Sequence, residues 1–353
     1  MTKTNLKRIA SKNLGVVLFI IVLAIRFIFS FSQIAFETIY FNAFFPFIRK
    51  AQSALSFIWV VPGYYALAIG LIVWLIWRFP KSKKFKLFFK RLLNLICGFS
   101  AAFLVLWGYN YVDKGFAERI NLPHSSKQID LSEHYLAVMD SAMVYRSAIT
   151  EDITTIVDVE KIPSDSLINA WVKNVLEANG YPTESDISVR YILPSGALRR
   201  LSIAGIYNPF SGEANVDNAL PSLPRIFTAA HEIAHGYGIT SEAEANFVAY
   251  LACMHSGNPL ANYAGAYALW RQIAVEINTT FPPESREILA AQIPLPLRQD
   301  RKAILESYYK YKGYFPALTD AVNDTYLKIQ GVEKGTDDYD GFLQLYFRSL
   351  EMK

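Results

Sequence analysis

The sequence predicts an α+β fold: three N-terminal transmembrane helices, then a mostly helical domain carrying a small antiparallel β-sheet. Three observations carry that prediction. The first is composition: of 353 residues, 52% are hydrophobic, too many for a simple soluble enzyme and enough for a membrane part plus one domain. The second is a split in charge. Residues 1–112 hold 14 Lys/Arg and one acid, Glu37, while the whole chain carries +4, which leaves −9 for 113–353. The third is a His-Glu-x-x-His run at 231–235, followed closely by a carboxylate-rich helix start. A basic membrane segment followed by an acidic domain is not the footprint of a nucleic-acid binder. A membrane domain at 1–112 and a second domain at 113–353 are therefore expected.

The chain begins with a short basic stretch (Lys3, Lys7, Arg8, Lys12) and an apolar run over 14–31 interrupted only by Arg26. The run is long enough to span a bilayer and lacks a following small-residue cleavage site, so it reads as a span and not as a signal peptide. Residues 32–55 are mixed and aromatic, broken at Phe45-Pro46, and suit an interfacial position. A second span is expected at 57–77, its start marked by Pro62-Gly63 and its ends by Trp59, Trp74 and Trp77. The stretch 78–91 then holds Arg78, Lys81, Lys83, Lys84, Lys86, Lys90 and Arg91 with no acid. Such loops stay on the cytoplasmic side. A third span follows at 92–109. Three crossings from a cytoplasmic N-terminus place the chain from 113 outside the cytoplasm, in a multi-pass protein whose partner is the lipid bilayer. Cys97 and Cys253 read as two buried thiols, with no disulfide framework and no metal role.

Within 113–353, residues 131–149 and 164–178 have helical periodicity. Two β-rich runs, 187–193 and 201–207, are separated by Pro194-Ser195-Gly196. A turn at 208–212 precedes a short third strand at 213–216. After the motif the pattern is helical: 247–255, 263–277, 284–293, 298–311, 315–329 and 339–350.

The motif carries the chemistry. On a helix, His231 and His235 share a face and can present two imidazoles to one metal ion, with Glu232 beside it as general base. Pro224 suits the preceding helix's first turn, and Gly236 and Gly238 end it. A third ligand must come from Glu242 or Glu244, which lie about 200° apart around a helix and cannot both face one ion. Ser241-x-x-Glu244 reads as a capping box. Glu242 is thus the expected ligand, with Glu244 the alternative. Asn246, one turn on, can accept a hydrogen bond from a ligand histidine. Two histidines and a glutamate leave a coordination position open, the pattern of catalytic zinc, one ion per chain. The expected reaction is amide hydrolysis in a peptide or protein substrate, with Glu232 moving the proton.

Other residues are weaker candidates. Glu213, on an edge strand, can touch substrate, although a solvated strand charge is the plainer reading. Tyr207, Tyr263, Tyr326 and Arg298 are candidates for oxyanion contact. His255 reads as a surface histidine at the end of the ligand helix.

These motifs together resemble a known family. The stretch 205–215 (Gly-Ile-Tyr-Asn-Pro-Phe-Ser-Gly-Glu-Ala-Asn), the run at 231–235, Glu242-Ala243-Glu244-Ala245-Asn246-Phe247 and Asn323-Asp324-Thr325-Tyr326-Leu327-Lys328 are similar to domain of unknown function 3810, over nearly the whole chain. That family looks like a membrane-anchored branch of the gluzincins, zinc peptidases with a zincin-like domain and a downstream glutamate ligand. The E-x-x-A-N pattern also resembles the short-spaced ImmA/IrrE-type peptidases. It is similar too to the E-x-x-A-D of the membrane-bound zinc endopeptidases that process prenylated proteins, and in each resemblance the first glutamate is the ligand, which implies Glu242. One departure is that only six residues separate His235 from Glu242, so a tight turn through Gly236 and Gly238 must return the chain to the metal. Two other functions compete: a zinc amidase acting on cell-wall material, and a membrane-tethered scaffold with a structural zinc.

Overall fold

A computed structural model describes residues 13–58, 61–78, 85–124, 129–149, 154–159, 161–311 and 341–352. The chain forms two compact units. One comprises 1–113 with the insert 208–213, and the other comprises 114–207 with 214–353. The insert 208–213 was not expected from the sequence.

The first unit is helical: α1 (Leu14–Phe31), α2 (Phe45–Ile58), α3 (Gly63–Arg78) and α4 (Phe85–Leu106). Two of these, α1 and α4, are long and apolar enough to cross a membrane. The expected continuous second span at 57–77 is not formed. Residues 57–58 close α2 instead, and α3 has 16 residues, about 24 Å at 1.5 Å per residue against roughly 30 Å of hydrocarbon. Pro62 ends the helical run where its missing N–H and its steric effect on the preceding residue forbid continuation. The helical stretch Gln33–Ile58 and α3 are bent by 88° at this break.

The segment expected to be mixed and interfacial is helical too. Residues Phe36–Phe44 form a π-helix that gives way to α2 at Phe45, just where Pro46 can offer no donor to the previous turn. Aromatic rings fill this region. Tyr40 lies 5.1 Å from Tyr109 and 5.7 Å from Phe45, and Phe29 lies 5.4 Å from Tyr109.

The second unit is mostly helical with one sheet. After a short helix, Phe116–Arg119, come α5 (Leu131–Ser147) and α6 (Asp165–Glu177), capped by Asp130 and Ser164. The strands are β1 (Ser188–Ile192), β2 (Gly205–Asn208) and β3 (Glu213–Asp217), in the order β1-β3-β2. The sheet is mixed, not antiparallel as expected. The tight turn makes β2 and β3 an antiparallel hairpin, which leaves β1–β3 as the parallel pairing. A long irregular connection, 193–204, allows that pairing. β3 is central and buried along its whole length. Then come α7 (Ser222–Gly236), α8 (Glu242–Met254), α9 (Pro259–Thr280), α10 (Pro283–Ala291), α11 (Leu295–Lys310) and α12 (Gly341–Ser349). The helix expected at 315–329 lies outside the described residues.

The core beneath the motif is held by buried apolar side chains and one polar hub. Trp270, Ile226, Ala230, Ile233 and Phe247 are each at most 1% exposed. Asp300, fully buried, accepts hydrogen bonds from Arg146 Nε (2.6 Å), the Tyr263 hydroxyl (2.8 Å) and the Ile156 N–H (2.7 Å). It ties α5, α9 and α11 together. A buried carboxylate is tolerated when it is paired and hydrogen-bonded in this way.

Candidate metal centre

The His-Glu-x-x-His run occupies the last two turns of α7. Where α7 ends, Gly238 adopts φ +99, a conformation glycine takes without penalty. The N–H groups of Gly238 and Ile239 close back on the carbonyls of His235 (3.0 Å) and Ala234 (3.2 Å). The chain reverses in five residues. Ser241 then caps α8, its Oγ accepting the Glu244 N–H at 3.2 Å. Glu242 is thereby the first residue of α8, facing the histidines.

Three acceptor atoms converge. His231 Nε2 and His235 Nε2 are 3.0 Å apart, and Glu242 Oε2 lies 3.1 Å from the first and 3.6 Å from the second. The other ring nitrogens are occupied. His231 Nδ1 donates to Asn246 Oδ1 (2.9 Å) and His235 Nδ1 donates to the Ile239 carbonyl (2.7 Å). With Nδ1 carrying the proton in each ring, both Nε2 atoms present lone pairs to the centre.

This group can hold a metal ion. Ligand atoms about a tetrahedral ion with bonds of about 2.0–2.1 Å are about 3.3 Å apart, and the three observed separations bracket that value. The charge balance is compatible with one. Glu232 and Glu242 are two carboxylates in one buried pocket, which favours positive charge there, supplied by a protonated imidazole or by a metal ion. Burial pushes the Glu232 carboxyl above its ordinary range. Burial would also raise Glu242, but the two imidazoles beside it outweigh that and hold it well below. Burial lowers His235, yet the Glu242 carboxylate prevails and lifts it to about 9.

Glu232 is placed by β2. A Cβ added at Gly205 would lie 2.8 Å from both Cγ and Oε1 of Glu232 and 2.6 Å from Thr228 Cγ2. Only glycine permits this approach of strand to helix. The main-chain N–H of Tyr207 then donates to the Glu232 carboxylate. Gly205 was not singled out from the sequence, although an isolated glycine within a strand-like run is the signal for such a contact.

The remaining candidates are engaged elsewhere. Glu244 Oε1 accepts the Ala117 N–H at 2.9 Å, near Gly115, and caps the short helix Phe116–Arg119. Tyr207 meets the motif through its backbone N–H. Tyr263 is buried against Asp300, and Arg298 donates to the Ile293 carbonyl (3.0 Å). Neither stands at the metal group. Tyr326 lies outside the described residues. Glu213 is 1% exposed and belongs to the membrane unit, so it is not the solvated strand charge of the plainer reading. Its Oε2 accepts the Gly63 N–H (2.8 Å) and the Ser211 hydroxyl (2.6 Å). His255 is exposed at the end of α8.

No curated protein and no solved structure matches the chain. A family model described as "Protein of unknown function (DUF3810)" matches residues 36–347, most of the sequence, and the protein belongs to that family.

Proposed function

We propose that the chain is a membrane-anchored, zinc-dependent metallopeptidase. His231, His235 and Glu242 would bind one zinc ion, and Glu232 would act as general base. The observation that carries this reading is the convergence of three acceptor atoms within 3.0–3.6 Å, with Glu232 held beside them. When bound, the ion would polarise a substrate carbonyl and ease deprotonation of a water. The chain's own residues do the rest. Asn246 and the Ile239 carbonyl fix the two rings. Glu232 takes the water's proton and passes it to the leaving amine. Burial around Glu232 favours its protonated form and so supports the second half of that transfer. β2 lies at the end of the sheet beside Glu232 and can accept an extended peptide as an added strand. Among the described residues the metal group has three members, which favours an open catalytic site over a closed structural one.

The test uses the purified full-length chain, zinc-loaded, against a peptide library. Glu232→Gln should keep zinc and lose about 10²–10⁴ of the hydrolysis rate. A zinc-loaded wild type that cleaves no peptide, or an unaffected variant, contradicts the reading.

We also propose that the domain faces away from the cytoplasm. What supports this is the parallel packing of α1 and α4. The Gly15 N–H meets Asn94 Oδ1 at 2.9 Å, while further along α1, and just past the end of α4, the Tyr109 hydroxyl donates to the Val22 carbonyl (2.9 Å). Two parallel crossings require a return between them. The stretch 33–78 offers that return as one broken span, not the continuous helix expected at 57–77. The Gly63 N–H that follows the break is held by protein, as lipid demands. Gly63 N–H is held by Glu213, and Arg49 Nη1 donates to the Gly212 carbonyl (3.2 Å). With Lys86, Lys90 and Arg91 on the cytoplasmic side, the chain leaves α4 on the other side. Single cysteines at Ser11, Ser82 and Ser141, probed with an impermeant maleimide, test this. Ser11→Cys and Ser82→Cys should label from one face and Ser141→Cys from the other. Any other pattern overturns it.

A further inference from the structure

The ends of α3 and α4 enclose a cavity lined by Trp74, Arg78, Leu87, Lys90, Arg91 and Asn94. Its position is fixed by packing. Trp74 stacks near Phe88 with ring centroids 6.2 Å apart, and Asn94 Oδ1 accepts the Gly15 N–H at the start of α1. Three helix ends therefore meet here, at the basic end of a unit whose helices α1 and α4 are built to cross a bilayer.

Three of the seven residues that line it, Leu95 included, are cations. None of them makes an ion pair among the described residues. The sequence supplies no carboxylate nearby: Glu37 is the one acid in residues 1–112, and it lies on the π-helical stretch beside Gln33. Among the described residues no carboxylate pairs with these cations, which leaves the site open to an anionic ligand. The rest of the lining identifies it further. Trp74, Leu87 and Leu95 border the cavity beside the cations. A free phosphate would meet the cations alone. A lipid with an anionic head and acyl chains would meet both the cations and this apolar lining.

We infer that this cavity is a binding site for the headgroup of an anionic phospholipid. Arg78 and Arg91 suit the phosphate oxygens by their planar, forked donors. Lys90 adds a point charge, and Trp74 forms the apolar wall where head and chain meet. The site is separate from the metal group and stands or falls independently of the peptidase reading.

The test is native mass spectrometry of the full-length chain in detergent, titrated with phosphatidylglycerol, phosphatidylcholine or sodium phosphate. One phosphatidylglycerol should bind at least tenfold more tightly than phosphatidylcholine, and millimolar phosphate should not displace it. Combining Arg78→Gln, Lys90→Gln and Arg91→Gln should reduce phosphatidylglycerol to the phosphatidylcholine level. Neutralising Lys161, Lys302 and Lys310, exposed cations of the second unit, should leave the preference intact. Equal binding of the two lipids overturns the proposal, as does a preference that survives in the first triple variant or is lost equally in the second. Displacement by phosphate would mark a free-anion site, and that also overturns it. If the first variant elutes aggregated, Arg91→Gln alone should still lower the preference at least threefold, and no change there contradicts the site.

Discussion

Two buried polar clusters of this protein differ in how their atoms face one another. At Arg49, Gln52 and Glu213, donors face acceptors: Arg49 Nη1 meets Gln52 Oε1 (2.8 Å), Gln52 Nε2 meets the Pro209 carbonyl (2.7 Å), and Glu213 takes the Gly63 N–H. At His231, His235 and Glu242, acceptors face acceptors, with both outer ring nitrogens already committed. In the first arrangement the named donors meet acceptors of the protein itself. The second is complementary to a cation. Burial alone therefore does not mark a functional site; the direction of the donors does.

Substitutions should separate the two clusters. His235→Ala should have the largest effect, costing more zinc affinity than the roughly 10–100-fold expected of a residue behind a ligand. Gly205→Ala should come next. Its methyl would push on Glu232, and a misplacement of about 1 Å can cost about 100-fold in rate, with zinc content unchanged in metal analysis. Asn246→Ala should weaken zinc by roughly 10–100-fold, because the His231 ring loses its anchor; titration against a competing chelator measures it. Glu213→Ala should leave zinc binding intact and lower thermal stability by about 1–3 kcal/mol, the cost of a buried N–H left unsatisfied at Gly63. Tyr263→Phe should be the mildest, about 1 kcal/mol or so with hydrolysis retained. A loss of zinc in Glu213→Ala would erase the distinction between the clusters.

The contrast also explains what the sequence could reveal. The two histidines and Glu232 are legible because helix geometry fixes residues four apart. Glu242 and Asn246 are legible because the Ser241 cap sets where α8 starts. The fate of Glu244 is not: its partner, Ala117, is far away in the chain, so a local capping box was the only signal available. Glu213 is illegible for the same reason, since its partner Gly63 lies 150 residues away in the chain. The second span failed because composition over 57–77 is apolar, while the backbone is decided by Pro62. The hairpin of β2 and β3 follows from the turn at 208–212, but the parallel placement of β1 depends on a long connection whose path no local pattern encodes.

The central claim is that Glu242, not Glu244, completes an open metal site with His231 and His235. The most direct measurement is the zinc content of the full-length chain, purified in detergent and loaded with zinc, for the wild type, Glu242→Ala and Glu244→Ala. The account predicts about one tightly held zinc in the wild type and in Glu244→Ala, and loss of zinc in Glu242→Ala. A folded wild type that retains no zinc, or a Glu242→Ala chain that holds it as tightly as the wild type, would contradict it.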